Sequence, residues 1–443
     1  MANAFSKEEK VAFDQLLEGF NDALVMSRNV TVYNQNQTDA ARADRFPNAP
    51  TPPAGAVNFG TVWRPMPYIM NSVNGAPGTP VTFTDKTQLS VPASITTVKT
   101  VPWALTSTEL RDALQEGRLA SGANQKLASD INVAVMQQAA ALGSLTVTTG
   151  TPAGSFDDIA LCDTLMNETG VPGDMRYLSL SSRSYNGLAG NVVGSTRSFG
   201  ANNRSDKAFE RAYVGMVSSF ETYKQDYALR KLTAANPAPV TVNTLDAGGN
   251  VNFVPRASVI NVAGTLNVDN RFQTITLSSN AGLVAGDRFT IQGIEAVHLV
   301  TKLPTGQPKT FVIVSVGAAN TVVITPPIIS ADSAPTEAEL QYKNCERAGV
   351  GLAAAAITFQ NTATADINCF WHKSAIELLP GRLAIPENAG VAVMRATTDQ
   401  GIEVVMQKQF DITSSLTNYR LDVLFGTAVL NPEMAGVLLF DQP

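Results

Sequence analysis

The chain has 443 residues, 44% apolar and 16% charged, with a formal net charge of −6 and a pI near 5.2. That length allows two or three domains with sizeable cores. The acidic balance, without any run of Lys and Arg, excludes a nucleic-acid-binding surface built on counterion release.

The N-terminus lacks the basic start and apolar stretch of a signal peptide, and no apolar run approaches the roughly 18 residues of a membrane span. A soluble chain made in a cytosol is expected. Cys162, Cys345 and Cys369 are scattered and odd in number, with no CxxC, which fits a reducing compartment without a disulfide framework. With so little charge, Ser, Thr, Asn, Gln and Gly must cover much of the surface, which suits a protein packed among many neighbours.

Ser6 and Glu9 read as a capping box. Behind them Phe13, Leu16, Leu17, Phe20 and Leu24 keep helical spacing. Glu8, Glu9, Asp14, Glu18 and Asp22 outnumber Lys7 and Lys10 and leave an acidic face. That face is either the solvated side of a docked helix or a handle for a basic partner. From 46 to 102 ten prolines forbid a long helix. Alternating stretches at 61–70 and 82–99 flank a turn-rich tip at 71–80, the pattern of a projecting hairpin. Such an arm has too little core to stand alone. Thr106 and Glu109 open a second capping box, and apolar residues at i+4 spacing continue to Leu142, where Gly143 supplies a stop. This longest helix spans some 36 residues, or about 54 Å.

A helix over 157–168, closed by Gly170 and Pro172, leads to a strand at 176–181; further helices are expected near 184–188 and 206–212. Helical periodicity then disappears over 233–343. Runs at 251–254, 272–277, 289–291, 311–314 and 321–325 are β-branched and aromatic, of strand length, and separated by Gly, Asn, Asp and Pro. This reads as a compact all-β module inserted in another domain. An Ala-rich helical stretch from Ala348 follows, then strands near 367–371, 391–395, 402–409 and 419–430 and a final run to Phe440.

No catalytic set emerges. His298 lies among strand residues and His372 at a strand end, both read as structural, and no HExxH, GxSxG or SxxK arrangement occurs. The loop 190–196 lacks the Lys a phosphate loop needs. Asp157 and Asp158 sit in a helix first turn, where the dipole explains them. No enzyme activity, metal or cofactor is expected.

The order of elements (N-terminal helix, extended arm, long spine helix, α/β domain ending in apolar strands) resembles tailed-phage major capsid proteins of the Hong Kong 97 type. At residue level it resembles the coat proteins of the Salmonella temperate podophage lineage, which carry a β-barrel inserted into the α/β domain. The resemblance covers Asn267, Val268, Asp269, Asn270, Arg271 and Phe272, then 274–278 with Gly286 and Asp287. It also covers 109–112, 126–128 and 143–145 at the spine, and Asn368, Phe370, Trp371, Ala375 and Ile376 after the insert. Gly426 and Pro432 match more weakly.

The resemblance implies an α+β fold divided into an N-terminal arm and helix (1–45), an extended loop with peripheral strands (46–102) and a spine helix (103–150). An axial domain follows in two parts (151–232 and 346–443) around an inserted antiparallel β-barrel (233–345). It implies hexamers and pentamers in an icosahedral shell around double-stranded DNA held without specific binding. The implied partners are a scaffolding protein, a portal protein and a decoration protein, with no membrane, and assembly in the bacterial cytoplasm. Glu8, Glu9, Asp14 and Glu18 become candidate scaffold contacts. In the family one insert loop reaches a neighbouring capsomer. Here 259–265, with Asn261 and Thr265, is shorter and uncharged, so 241–256, with Asp246 and Arg256, is the candidate substitute. The other readings are a non-viral nanocompartment subunit, which usually lacks an inserted barrel, and a glycan-binding β module.

Overall fold

In a computed structural model of the chain, the structure describes residues 5, 7–33, 61–67, 69–70, 87–95, 97–106, 109, 113–194, 214–225, 231–235, 239–244, 253–255, 269–331, 335–347, 354–383, 385 and 390–442. The expected helix at 206–212, the arm tip at 71–80 and the loop 259–265 lie outside them. The chain divides into two compact units, one of residues 1–62, 93–136 and 377–428, the other of 63–92, 137–376 and 429–443.

In the first unit the helix Lys7–Ala23 buries Phe13, Leu16 and Phe20 at helical spacing. It docks on the spine helix Ala113–Leu142 through two asparagines. Asn124 Nδ2 donates to the Leu16 carbonyl at 2.7 Å and Asn132 Nδ2 to the Ala23 carbonyl at 2.9 Å. The expected Thr106/Glu109 box is present, ahead of the described start of the spine at Ala113: the Thr106 N–H donates to Glu109 Oε2 at 2.8 Å and the Glu109 N–H to Thr106 Oγ1 at 3.3 Å. A six-stranded sheet completes this unit, with the long strand Leu416–Val429 between Glu403–Asp411 and Thr97–Thr106. Pro102 is tolerated in Thr97–Thr106 because that strand pairs on one side only among the described residues. Gly426 is required by close approach, since a Cβ there would lie 2.2 Å from the Ser94 carbonyl.

The second unit holds a mixed six-stranded sheet. Its order is Leu145–Thr148, Ala435–Leu439, Asn368–His372, Arg176–Ser181, Phe220–Gln225 and Met216–Val217. Asn368–His372 and Ala435–Leu439 are buried at every position, as central strands covered on both faces should be. The helices Phe156–Glu168 and Ser182–Gly194 supply Ile159, Met166, Tyr185 and Leu188 to its core. Ser155 and Asp158 form a reciprocal capping box at the first of these.

The inserted segment forms an antiparallel seven-stranded sheet. Its strands are Val242–Thr244, Gln273–Leu277, Thr321–Thr325, Pro304–Val316, Arg288–Val297, Cys345–Arg347 and Ile357–Phe359. Inward-facing Ile275, Leu277, Phe289, Ile291, Phe311, Ile313, Val322 and Ile324 make its core. The strand Arg288–Val297 shifts register between Thr290 and Glu295, at Gly293 with φ of 83°. Its first part pairs with Ile357–Phe359 and its second with Cys345–Arg347.

Three expectations are corrected here. The sheet does not end at 343–345, because Ile357–Phe359 belongs to it. The Ala-rich stretch from Ala348 is not helical where it is described, at 354–359. There the open edge of Arg288–Val297 recruits β-branched Ile357 and Thr358, and sheet pairing overrides alanine propensity. The run at 251–254 is not a strand at 253–254; Phe253 makes a single N–H bond to the Ile328 carbonyl at 2.7 Å.

Candidate functional site

The sequence offers no catalytic constellation, so the residues to follow are those that anchor the insert and those that face outward. The insert leaves the α/β part through a two-stranded neck, where Lys231–Leu232 pairs antiparallel with Ala365–Asp366. Asn361, fully buried, staples the neck shut. Its Nδ2 donates to the Thr233 carbonyl at 3.0 Å and to Asp287 Oδ1 at 2.9 Å, and its Oδ1 accepts the Arg288 N–H at 3.1 Å. Asp287 also accepts the Val284 N–H at 2.8 Å. Burial nevertheless holds its carboxyl above the ordinary value, against the pull of those two bonds.

Arg288 is the central anchor. It is 1% exposed, and its guanidinium donates to the carbonyls of Ala140 at 2.8 Å, Gly143 at 2.7 Å and Leu145 at 3.3 Å, and to Thr146 Oγ1 at 3.1 Å. Ala140 lies in the last turn of the spine helix, whose carbonyls have no helical partners. A cation there also meets the negative end of the helix dipole. The insert thus caps the spine helix with a charge held in a dry site, and desolvation pulls that guanidinium down to about 10. Two further ties run alongside: Thr310 Oγ1 donates to the Ser144 carbonyl at 2.6 Å, and buried Lys309 pairs with buried Glu433.

The family-like residues fall into two groups. Asp269 and Arg271 form a bidentate pair, with Arg271 Nε 2.9 Å from Oδ1 and Nη2 2.7 Å from Oδ2. Arg271 Nη1 donates to the Val429 carbonyl at 2.8 Å, and its guanidinium lies 5.1 Å from the Phe272 ring centroid. Asn270 is buried beside them. Phe370 and Trp371 are fully buried in the mixed sheet, Phe370 edge-on to Phe220 at 6.2 Å and Trp371 6.2 Å from Tyr177. Their matches to the family are matches of anchorage and core.

On the N-terminal helix Asp14 and Glu18 are exposed, and nothing is described of the Glu8 side chain. Glu9 does not belong to the outward face. It is 7% exposed, accepts the Tyr419 hydroxyl at 2.8 Å and pairs with Lys408. It sits on the docked side of the helix, at helical spacing with Phe13, Leu16 and Phe20, although its charge alone groups it with Asp14 and Glu18. Asp246, Arg256, Asn261 and Thr265 lie outside the described residues. His298 Nδ1 accepts the Val300 and Thr301 N–H groups at 3.2 and 3.1 Å, and His372 Nδ1 accepts the Ser374 N–H at 3.2 Å. Cys162, Cys345 and Cys369 are buried free thiols. No helix among the described residues is long and apolar enough to cross a membrane.

Sequence reasoning missed Arg288, Lys309 and Asn361. Arg288 and Lys309 were visible as charges flanking apolar strand runs, an anomaly that marks a buried, partnered cation.

The described residues form an α+β body whose β module is tied to the end of the spine helix. Solved structures similar in outline include the capsid of cyanophage P-SCSP1u, at 11% identity over 92% of this chain and 96% of that one, with a TM-score of 0.41. A structure of Mycobacterium phage Che8 matches at 9% identity over 94% and 90%, with a TM-score of 0.44. The CUS-3 coat protein I-domain matches at 34% identity over 28% of this chain and 98% of its own, with a TM-score of 0.21. The family described as P22 coat protein, gene protein 5, matches residues 1–441, and the chain belongs to that family. It is a phage major capsid protein of the Hong Kong 97 type, a component of an icosahedral shell assembled from copies of itself.

Proposed function

We propose that the subunit forms hexamers and pentamers under the direction of a scaffolding protein, around a portal, into a precursor shell that then receives double-stranded DNA. The observation that carries the scaffold part is the two-sided N-terminal helix. Phe13, Leu16, Phe20 and Glu9 fix its inner side, which leaves Asp14 and Glu18 presented on a rigid outer side. Exposed carboxylates held in this way suit a basic partner, because complementary charge speeds encounter and fixes register. The net charge of −6 supports enclosure of DNA without adhesion to the wall. A decoration protein on the outer surface is a further partner of this reading, and the insert's segment 241–256, with Asp246 and Arg256, is the proposed contact to a neighbouring capsomer.

The test is co-expression with the scaffolding protein, comparing the wild type with Asp14→Ala/Glu18→Ala. The double variant is expected to keep its circular dichroism spectrum and to lose scaffold-directed shells, and its difference from the wild type is expected to narrow as salt rises and screens the wild-type carboxylates. Normal shell yield from the double variant refutes the acidic-face reading.

A further inference from the structure

Tyr342 ends the short helix Glu337–Tyr342 of the insert, and its hydroxyl oxygen accepts the Leu89 backbone N–H at 3.1 Å. Leu89 is fully buried and packs with Ile329 and Tyr342, and Met66 and Phe253 close over that cluster. The Leu89 carbonyl accepts the Met66 N–H at 2.8 Å, and Gln88 Nε2 donates to the carbonyls of Met66 at 3.1 Å and Leu89 at 2.8 Å. The two strands at the foot of the arm, Thr61–Pro65 and Ser90–Ser94, are therefore tied together just beyond their pairing. The tie itself is buried against the insert.

The insert's side of this contact is fixed as firmly. Thr336 and Glu339 cap the helix reciprocally. Asn344 accepts the Ile329 N–H at 3.1 Å and donates to the Pro327 carbonyl at 2.8 Å, which holds the backbone just after Tyr342 to the segment 327–329. A two-stranded hairpin is marginal in water without such support.

We infer that the insert anchors the arm. Tyr342 and Leu89 fix the root from which the arm leaves at Met70 and to which it returns at Thr87, so the insert sets where the arm meets another copy of the chain. This rests on the reading of the arm as a contact between copies. It gives the insert a role in assembly geometry, separate from any loop that reaches across to a neighbouring capsomer.

The test uses the full-length subunit. Tyr342→Phe keeps the ring packing but removes the acceptor, so the buried Leu89 N–H loses its partner. Amide exchange in the peptide carrying Leu89 is expected to speed up about tenfold, with the far-UV spectrum unchanged. The same variant is expected to give fewer closed shells and more aberrant ones. Unchanged Leu89 exchange overturns the anchor, and faster exchange with wild-type shells overturns its role in assembly. Ile329→Ala removes the insert's apolar contact with Leu89 and repeats the test if Tyr342→Phe does not accumulate. Deletion of 71–86 judges the arm reading separately: normal shells from that deletion refute the arm as a contact, whatever the exchange result.

Discussion

Replacing Arg288 with Met tests the claim that the insert caps the spine helix. The side chain is 1% exposed and serves four acceptors, three of them backbone carbonyls between Ala140 and Leu145. Each charge-assisted bond is worth ~1.5–3 kcal/mol, but the guanidinium loses its hydration, the same cost that pulls it down to about 10. The net is therefore well below the sum. Removing one side of a buried charged network costs ~3–5 kcal/mol, so Arg288→Met is expected to destabilise the subunit by ~3 kcal/mol or more. Arg288→Lys restores charge but not the planar fork that reaches several carbonyls at once, and about half the loss is expected to remain. Urea unfolding followed by circular dichroism and tryptophan fluorescence reads both. The Met variant should also separate the two probes, because the helix end is no longer tied to the β module. A midpoint within ~0.5 kcal/mol of wild type, with coincident probes, refutes the capping account.

Two other predictions follow from the same anchorage. Lys309→Met or Glu433→Leu alone leaves a buried charge without its partner and is expected to cost ~3 kcal/mol. The double variant is expected to lie within ~1 kcal/mol of wild type, and a cycle showing simple additivity contradicts this. Asp287 is held above the ordinary carboxyl value, so its contribution to stability is fullest below that value and is lost as pH rises through the raised one. Asp287→Asn should therefore gain stability relative to wild type as pH is raised from about 4 to 7, and a pH-independent difference in urea midpoint refutes that sign.

Local signals in the sequence carried much of this fold. The Thr106/Glu109 capping box, the stop at Gly170 and the strand Arg176–Ser181 needed only neighbours a few residues away, and each is where spacing placed it. The sheet of the insert was visible as a change of period from helical to strand. What failed were features set by distant partners. Glu9 falls at i−4 and i−7 of Phe13 and Leu16, on the buried stripe of its helix, and the partners that hold it there, Tyr419 and Lys408, lie some 400 positions further along. Alanines after 348 favour helix in isolation, but the residues that follow complete a strand edge offered by Arg288–Val297. Arg288 lies 145 positions from the Gly143 carbonyl it caps. Its role had no local signature beyond being a charge at the edge of an apolar run.

The central claim is that this chain is a shell-forming coat subunit whose insert is locked to its spine. The most direct measurement is electron microscopy of the full chain co-expressed with its scaffolding protein, reconstructed far enough to trace one subunit. Closed icosahedral shells of hexamers and pentamers are expected, with Arg288 density joined to the end of the spine helix. Protein that stays monomeric under every condition, or shells in which the insert is detached from that helix, would contradict it.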